Sequence, residues 1–254
     1  MAEPSEGRRG LRARRWIIGL SALFVALVTC IVAVAATLAD QAPVWWRSVR
    51  IDDPRTTAIG VALENRTSNA LYEVRPADSD AGARYQSEVW TVEVTAREAN
   101  AWLNARLPGW LASQWNQSVW PGEMSEIQVE FRDDEIALGA RVNVAGRFRY
   151  FTATIDAEIG PDGALWVPAR WISVGRLAAP GPWIIEHADR RRDQFIPDDF
   201  RDLPETAAMF RAFAGEAPIV QDAVVTLGDG RVVRLLSMRA EGGRLRITCR
   251  TERE

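Results

Sequence analysis

The 254-residue chain carries 31 Lys plus Arg against 34 Asp plus Glu, a formal net charge of −3, and every one of its basic residues is Arg. Lysine Schiff bases and the lysine-containing phosphate loop are therefore excluded. Arg8, Arg9, Arg12, Arg14 and Arg15 face only Glu3 and Glu6 in the first fifteen residues, so the tail is +3 and the remainder −6. That acidic remainder has no nucleic-acid footprint. Two cysteines far apart in sequence, Cys30 and Cys249, make no disulfide framework, and a lone histidine, His187, makes no multi-histidine metal site. No cofactor and no metal are expected.

Trp16 to Ala39 is uncharged and long enough to cross a bilayer as one helix. The five arginines before it and Asp40 after it predict residues 1–15 in the cytoplasm, 16–39 as a single-pass anchor and the rest extracytoplasmic. Trp16 at one end and Trp45 and Trp46 at the other suit the membrane interface. A cleavable signal peptide, with Ala33-Val34-Ala35 as its site, would need a shorter apolar run. A lipidated Cys30 would need a smaller residue than Thr29 before it. The uncleaved anchor fits better than either.

Residues 40–85 read as a membrane-proximal connector, with Thr57 to Leu63 resembling a short strand, and residues 86–254 as one extracytoplasmic domain. Val89 to Val94 alternates as a strand and runs into Thr95-Ala96-Arg97-Glu98, a capping box that starts a helix at Ala96. Ala99, Trp102, Leu103 and Leu107 stripe that helix, and Pro108-Gly109 breaks or bends it before Trp110 and Leu111. Strands follow: Ile127 to Phe131, Ile136 to Val144, a long one from Arg147 to Ile159, and a return from Leu165 after the turn Gly160 to Gly163. Helices are predicted after Pro182 and from Glu205 to about Phe213, stopped by Gly215. Three strands end the chain, Ile219 to Leu227, Arg231 to Arg239 and Arg244 to Thr248. The class is α+β, a curved antiparallel meander packed on a few helices behind one transmembrane helix.

The acidic clusters Asp133-Asp134-Glu135 and Asp198-Asp199 read as solvated turns, because adjacent carboxylates rarely stand across a scissile bond. His187 lies in a charged run that reads as a solvated helix face, and G-x-S-x-G, H-E-x-x-H and G-x-G-x-x-G are absent from the sequence. Asn65-Arg66-Thr67 and Asn116-Gln117-Ser118 fit the glycosylation tripeptide, a pattern frequent by chance. Trp102, Leu103, Leu107, Trp110 and Leu111, with Trp115 and Trp120 beyond them, could line an apolar groove for acyl chains. Core packing explains the same spacing, and contact with the outer bilayer face is a third option.

Val94 to Leu103 and Trp171 to Pro180 carry a pattern that resembles the YpmS-like family of bacterial membrane-anchored extracytoplasmic proteins. The likeness runs from about residue 89 to 248: a Thr-x-x-Glu-x-Asn-x-x-Leu helix start, a meander, an Ile-Ser-Val-Gly-x-Leu-x-x-Pro element, a helix and terminal strands. Ala178-Ala179 and the long connector depart from it. The resemblance implies a location and a fold, and brings no catalytic residues. The expectation is a non-enzymatic, membrane-tethered envelope protein that binds lipid or acyl chains near the Trp-rich helix. The alternative is a scaffold subunit of an inner-membrane complex that docks other envelope proteins by a β-edge or the Leu-Trp surface.

Overall fold

A computed structural model describes residues 27–78, 85–115, 122–144, 146–189 and 204–253. The expected cytoplasmic tail, Trp16 and the first part of the expected anchor, the tripeptide at Asn116, Trp120 and the Asp198-Asp199 cluster lie outside the described residues. In chain order the elements are α1 (27–39), α2 (Pro54–Tyr72), β1 (Trp90–Thr95), α3 (Ala96–Ala105), α4 (Leu107–Trp115), β2 (Met124–Arg132), β3 (Glu135–Val144), β4 (Arg147–Ile155), β5 (Glu158–Ile159), β6 (Leu165–Trp166), β7 (Ala169–Val174), β8 (Leu177–Pro180), α5 (Gly181–Asp189), α6 (Pro204–Ala214), β9 (Val224–Thr226), β10 (Arg231–Glu241) and β11 (Arg244–Arg253).

The class is α+β with antiparallel sheets. The single meander expected from sequence resolves into a five-stranded sheet, ordered β2-β3-β4-β7-β8, and a four-stranded sheet, β1-β11-β10-β9, in which the first strand pairs with the last. One core lies where Val129, Phe131, Ile136 and Ile155 meet Leu103, Met238, Ala240 and Leu245. The second gathers Trp90, Val92, Val94, Val233 and Cys249 with Leu63 and Trp102. Helix α3 packs on both, giving Ala96, Ala99 and Leu103 to the first and Ala99 and Trp102 to the second.

Several expected elements differ. Thr57 to Leu63 is not a strand but the middle of α2. Asp53 caps that helix by accepting from the Arg55 amide at 2.9 Å, and Pro54 occupies the first turn, where its missing N–H costs nothing. Gly60 and Leu63 are buried, a helical spacing that a seven-residue alternation conceals. The break between α3 and α4 falls at Arg106, before Pro108, because proline is welcome in a helix's first turn and Pro108 opens α4 rather than closing α3. The long strand from Arg147 ends at Ile155. There the pairing with β7 slips by one residue, Asp156 donates its amide to Pro168 and its carboxylate binds Arg170, and β5 pairs separately with β6. Of the stretch from Ile219, only Val224–Thr226 is ladder.

β2 is an edge strand, and its free edge is closed by α3. Asn100 donates to the Val129 carbonyl at 2.9 Å and accepts from the Val129 amide at 2.6 Å. Asn104 does the same for Ile127, at 2.6 and 3.0 Å. Two residues along a strand advance about 6.8 Å and four along a helix about 6 Å, so asparagines at i and i+4 match alternate backbone positions of the edge. The Asn of the Thr-x-x-Glu-x-Asn-x-x-Leu pattern thus completes an edge that would otherwise leave backbone groups unpaired. The capping box forms as predicted: the Glu98 amide donates to Thr95 Oγ1 at 3.2 Å, and Glu98 Oε2 accepts from the Thr95 amide at 2.9 Å.

Candidate functional site

Residues 40–50 cross one face of the five-stranded sheet as a strap. At its start, Asp40 pairs with Arg149, the Arg176 amide donates to Leu38 at the end of α1 at 2.9 Å, and the Arg176 guanidinium donates to the Ala42 carbonyl at 3.0 Å. Gly175, in the β7–β8 turn, has φ +60°, and any side chain there would overlap the carbonyl oxygens of Leu38 and Ala39. The Ile-Ser-Val-Gly element is therefore a hairpin whose tip caps the last turn of α1.

Trp45 and Trp46, expected at the membrane interface, pack on this sheet. A side chain at Gly139 would meet Trp46 at 2.8 Å and Trp45 at 3.0 Å, and Trp46 stands edge-on to Tyr150 with centroids 5.0 Å apart. Farther along, two buried polar side chains of β2 hold the strap's backbone. Gln128, 1 % exposed, accepts from the Arg47 amide at 3.0 Å and donates to the Arg47 carbonyl; Glu126, 2 % exposed, accepts from the Val49 amide at 2.6 Å. Gln128 also donates to Glu126 at 2.5 Å, and Arg141 faces the same carboxylate at 3.8 Å. These contacts span 77 to 81 residues of sequence, and no local pattern announces them.

Where the strap reaches α2, a cavity of about 450 Å³ opens between residues 45–50, the first turns of α2 and α3, and the outer end of β2. That volume lies within the range of small-molecule sites. Trp45, Val49, Ile59, Ala96 and Ala101 form its apolar lining, and Arg47, Arg50, Arg55 and Arg97 its cationic one, against the carboxylates of Asp53 and Glu130. Asp53 is engaged by the cap of α2. Among the described residues, none of the four guanidinium groups makes an ion pair, whereas the nearby Arg66 and Arg106 bind Glu98 and Glu64 at 2.6 and 2.9 Å. Arg55 and Arg97 each occupy the second position of a helix, where the macrodipole disfavours a cation.

The Trp-rich residues do not share one site. Leu103 packs on the first core and Trp102 on the second. Trp102 and Trp110 stand 6.4 Å apart between centroids, with Trp110 47 % exposed and Leu107 and Leu111 half-buried. Asp133 accepts from the Gly242 amide at 3.2 Å, and the amide of Asp134, at φ +60°, donates to the Ala240 carbonyl at 2.8 Å; this acidic turn fastens one sheet to the other. His187 lies on the surface of α5, its Nδ1 2.8 Å from the Trp183 carbonyl and its ring against Trp183 at 4.4 Å. Among the described residues, no three His, Cys, Asp or Glu side chains gather as a metal site.

The chain matches no family model, no curated protein and no solved structure. The cavity and its arginines were not singled out from sequence. Arg47, Arg50 and Arg55 fall in a stretch that reads as a connector, and only the packing of α2 on α3 brings Arg97 beside them.

Proposed function

We propose that this is a membrane-tethered, non-enzymatic envelope protein with an extracytoplasmic domain. The observation that carries the reading is α1: Leu27, Val28, Ile31, Val32 and Val34 are 42 to 60 % exposed on it, and the helix is held at its C-terminal end by the Arg176 hairpin. An uncharged helix with that much bare apolar surface needs a cover, at about 25 cal/mol per Å² left in water, and a bilayer supplies one. Among the described residues no helix is long and apolar enough to cross a membrane. The spanning proposal rests on the uncharged run continuing back to Trp16. The resemblance to the YpmS-like family supports the same location.

Within this reading, Trp110 with Leu107 and Leu111 offers apolar surface for lipid or acyl chains. For the scaffold alternative, α3 already hydrogen-bonds the β2 edge, which leaves β8, β1 and β9 as the edge strands a partner could extend. Alkaline carbonate extraction of membranes from cells expressing the full chain tests the tether. Retention in the pellet, with protease reaching the domain from the extracytoplasmic side, is expected; release into the supernatant refutes it.

A further inference from the structure

We infer that the cavity between the strap and the two helix starts is a binding site for a phosphomonoester carried on a small apolar body. The inference goes beyond the tethered reading and holds whether or not residues 16–39 span a bilayer. Arg47, Arg50, Arg55 and Arg97, all exposed, line the cavity, and among the described residues none has an ion-pair partner. Arg66, Arg106, Arg170, Arg234 and Arg246 find carboxylates; among the described residues Arg132, Arg147 and Arg239 do not, but they stand outside this cavity, where four unmatched arginines gather.

Its cost is visible at two of the four. Arg55 and Arg97 sit in the first turns of α2 and α3, where an acidic side chain would be favoured and a cation is opposed by the helix dipole. A bound anion reverses that penalty at both. The capping box satisfies the Thr95 and Glu98 amides and leaves those of Ala96 and Arg97, both at the cavity, without an acceptor inside the helix.

Charge and donor number select the anion. The arginines exceed the two carboxylates by two charges, close to the −1.5 to −2 of a phosphomonoester near pH 7. A carboxylate has only two oxygens to share among such donors, while a phosphate monoester offers three acceptor oxygens and suits bidentate guanidinium pairing. Trp45, Val49 and Ile59 give the rest of the ligand an apolar wall, so the cavity accepts more than a bare ion. The phosphate's source is either a lipid headgroup or a soluble ester.

The experiment uses the full chain in zwitterionic nanodiscs and titrates sn-glycerol 3-phosphate, dihexanoyl phosphatidic acid and dihexanoyl phosphatidylcholine by calorimetry. Saturable binding of the first two but not the third is expected. R55Q/R97Q should weaken it by about tenfold or more, and R50Q alone by several-fold. R132Q, an exposed arginine outside the cavity, should stay within about twofold. Binding of dihexanoyl phosphatidic acid without glycerol 3-phosphate, still lost in R55Q/R97Q, assigns the source to lipid. No binding of either phosphomonoester, equal binding by R55Q/R97Q whose circular dichroism matches wild type, or an equal loss in R132Q overturns the inference. Carbonate extraction of the same variants reports on the tether separately.

Discussion

Replacing Asn100 and Asn104 by Ala strips the β2 edge of its side-chain partners without touching either sheet's ladder. Each asparagine makes two complementary hydrogen bonds to one residue of β2, at 2.9 and 2.6 Å for Asn100 and at 2.6 and 3.0 Å for Asn104. The reciprocal pairing fixes which amide atom is oxygen, since the reverse orientation would set donor against donor. A typical hydrogen bond contributes about 1 kcal/mol net, and an orphaned buried backbone group costs about 1–3 kcal/mol. Val129 is 6 % exposed and Asn104 4 %, so water cannot fully replace the lost partners, and each single substitution should cost about 2–4 kcal/mol. The two sites are neighbours on one helix face against one strand, so the cost of the double variant should depart from the sum of the singles. Urea denaturation of the full chain in detergent, followed by tryptophan fluorescence, measures the loss. Hydrogen exchange at the amides of Ile127 and Val129 localises it. A double variant within about 1 kcal/mol of wild type, with exchange at those two amides unchanged, refutes the edge-closure argument.

Gly175→Ala should destabilise by at least about 2 kcal/mol, combining a left-handed backbone penalty with overlap on the end of α1, and should raise protease cleavage in residues 38–50; unchanged cleavage would count against the hairpin cap. Glu98 is held near pKa 2, chiefly by the hydrogen bond from Arg66, against opposing desolvation and with help from Thr95. Its folded value lies below the unfolded one, so the stabilisation is present above about pH 4.5 and lost as pH falls toward 2. The stability gap between wild type and Glu98→Gln should therefore shrink across that window, and a constant gap would contradict the ion pair's role. Burial pushes the Cys249 thiol up to about 11, so in a Cys30→Ser background, which removes the exposed second thiol, maleimide at pH 7 should label the chain only after denaturant unfolds it; labelling in the native state would refute the place of Cys249 in the second core.

What sequence made legible was local. Thr95 and Glu98 announce the start of α3 because a capping box is a four-residue contract between neighbours. Strands β2, β3, β10 and β11 follow from alternation and turn residues, and Gly215, at φ +74°, stops α6 where a left-handed residue is needed. What stayed hidden depended on partners far away in the chain. Trp102 and Leu103 look like one apolar stripe, yet they pack on different cores. Glu126 and Gln128 look like the polar face of a strand, and they are buried because the strap lies over them. Trp45 and Trp46 satisfy an interfacial rule by composition, but the absence of a side chain at Gly139 makes a socket for them on the sheet. Periodicity reports which face is apolar and cannot report which other segment covers it.

The strap joins the proposed tether to the cavity, and its length bounds the distance between them. From the end of α1 to Arg47 is seven or eight residues, so even fully extended the near wall of the cavity lies within about 30 Å of the last turn of α1. The strap is also fastened at both ends, by Arg149 and Arg176 at its start and by Glu126 and Gln128 farther on. It therefore acts as a fixed spacer rather than a free linker, whose ends would wander. On the tethered reading, the cavity's height above the bilayer is set by the sheet and not by chain entropy. Gly139→Val tests this coupling, because its branched side chain would strike Trp46, Trp45 and Thr152 at about 3 Å or less and lift the strap's middle. It should weaken glycerol 3-phosphate binding although it lies outside the cavity lining, and should expose Trp46 to acrylamide quenching. Unaltered quenching and unaltered binding would mean that the strap's packing does not position Arg47 and Arg50.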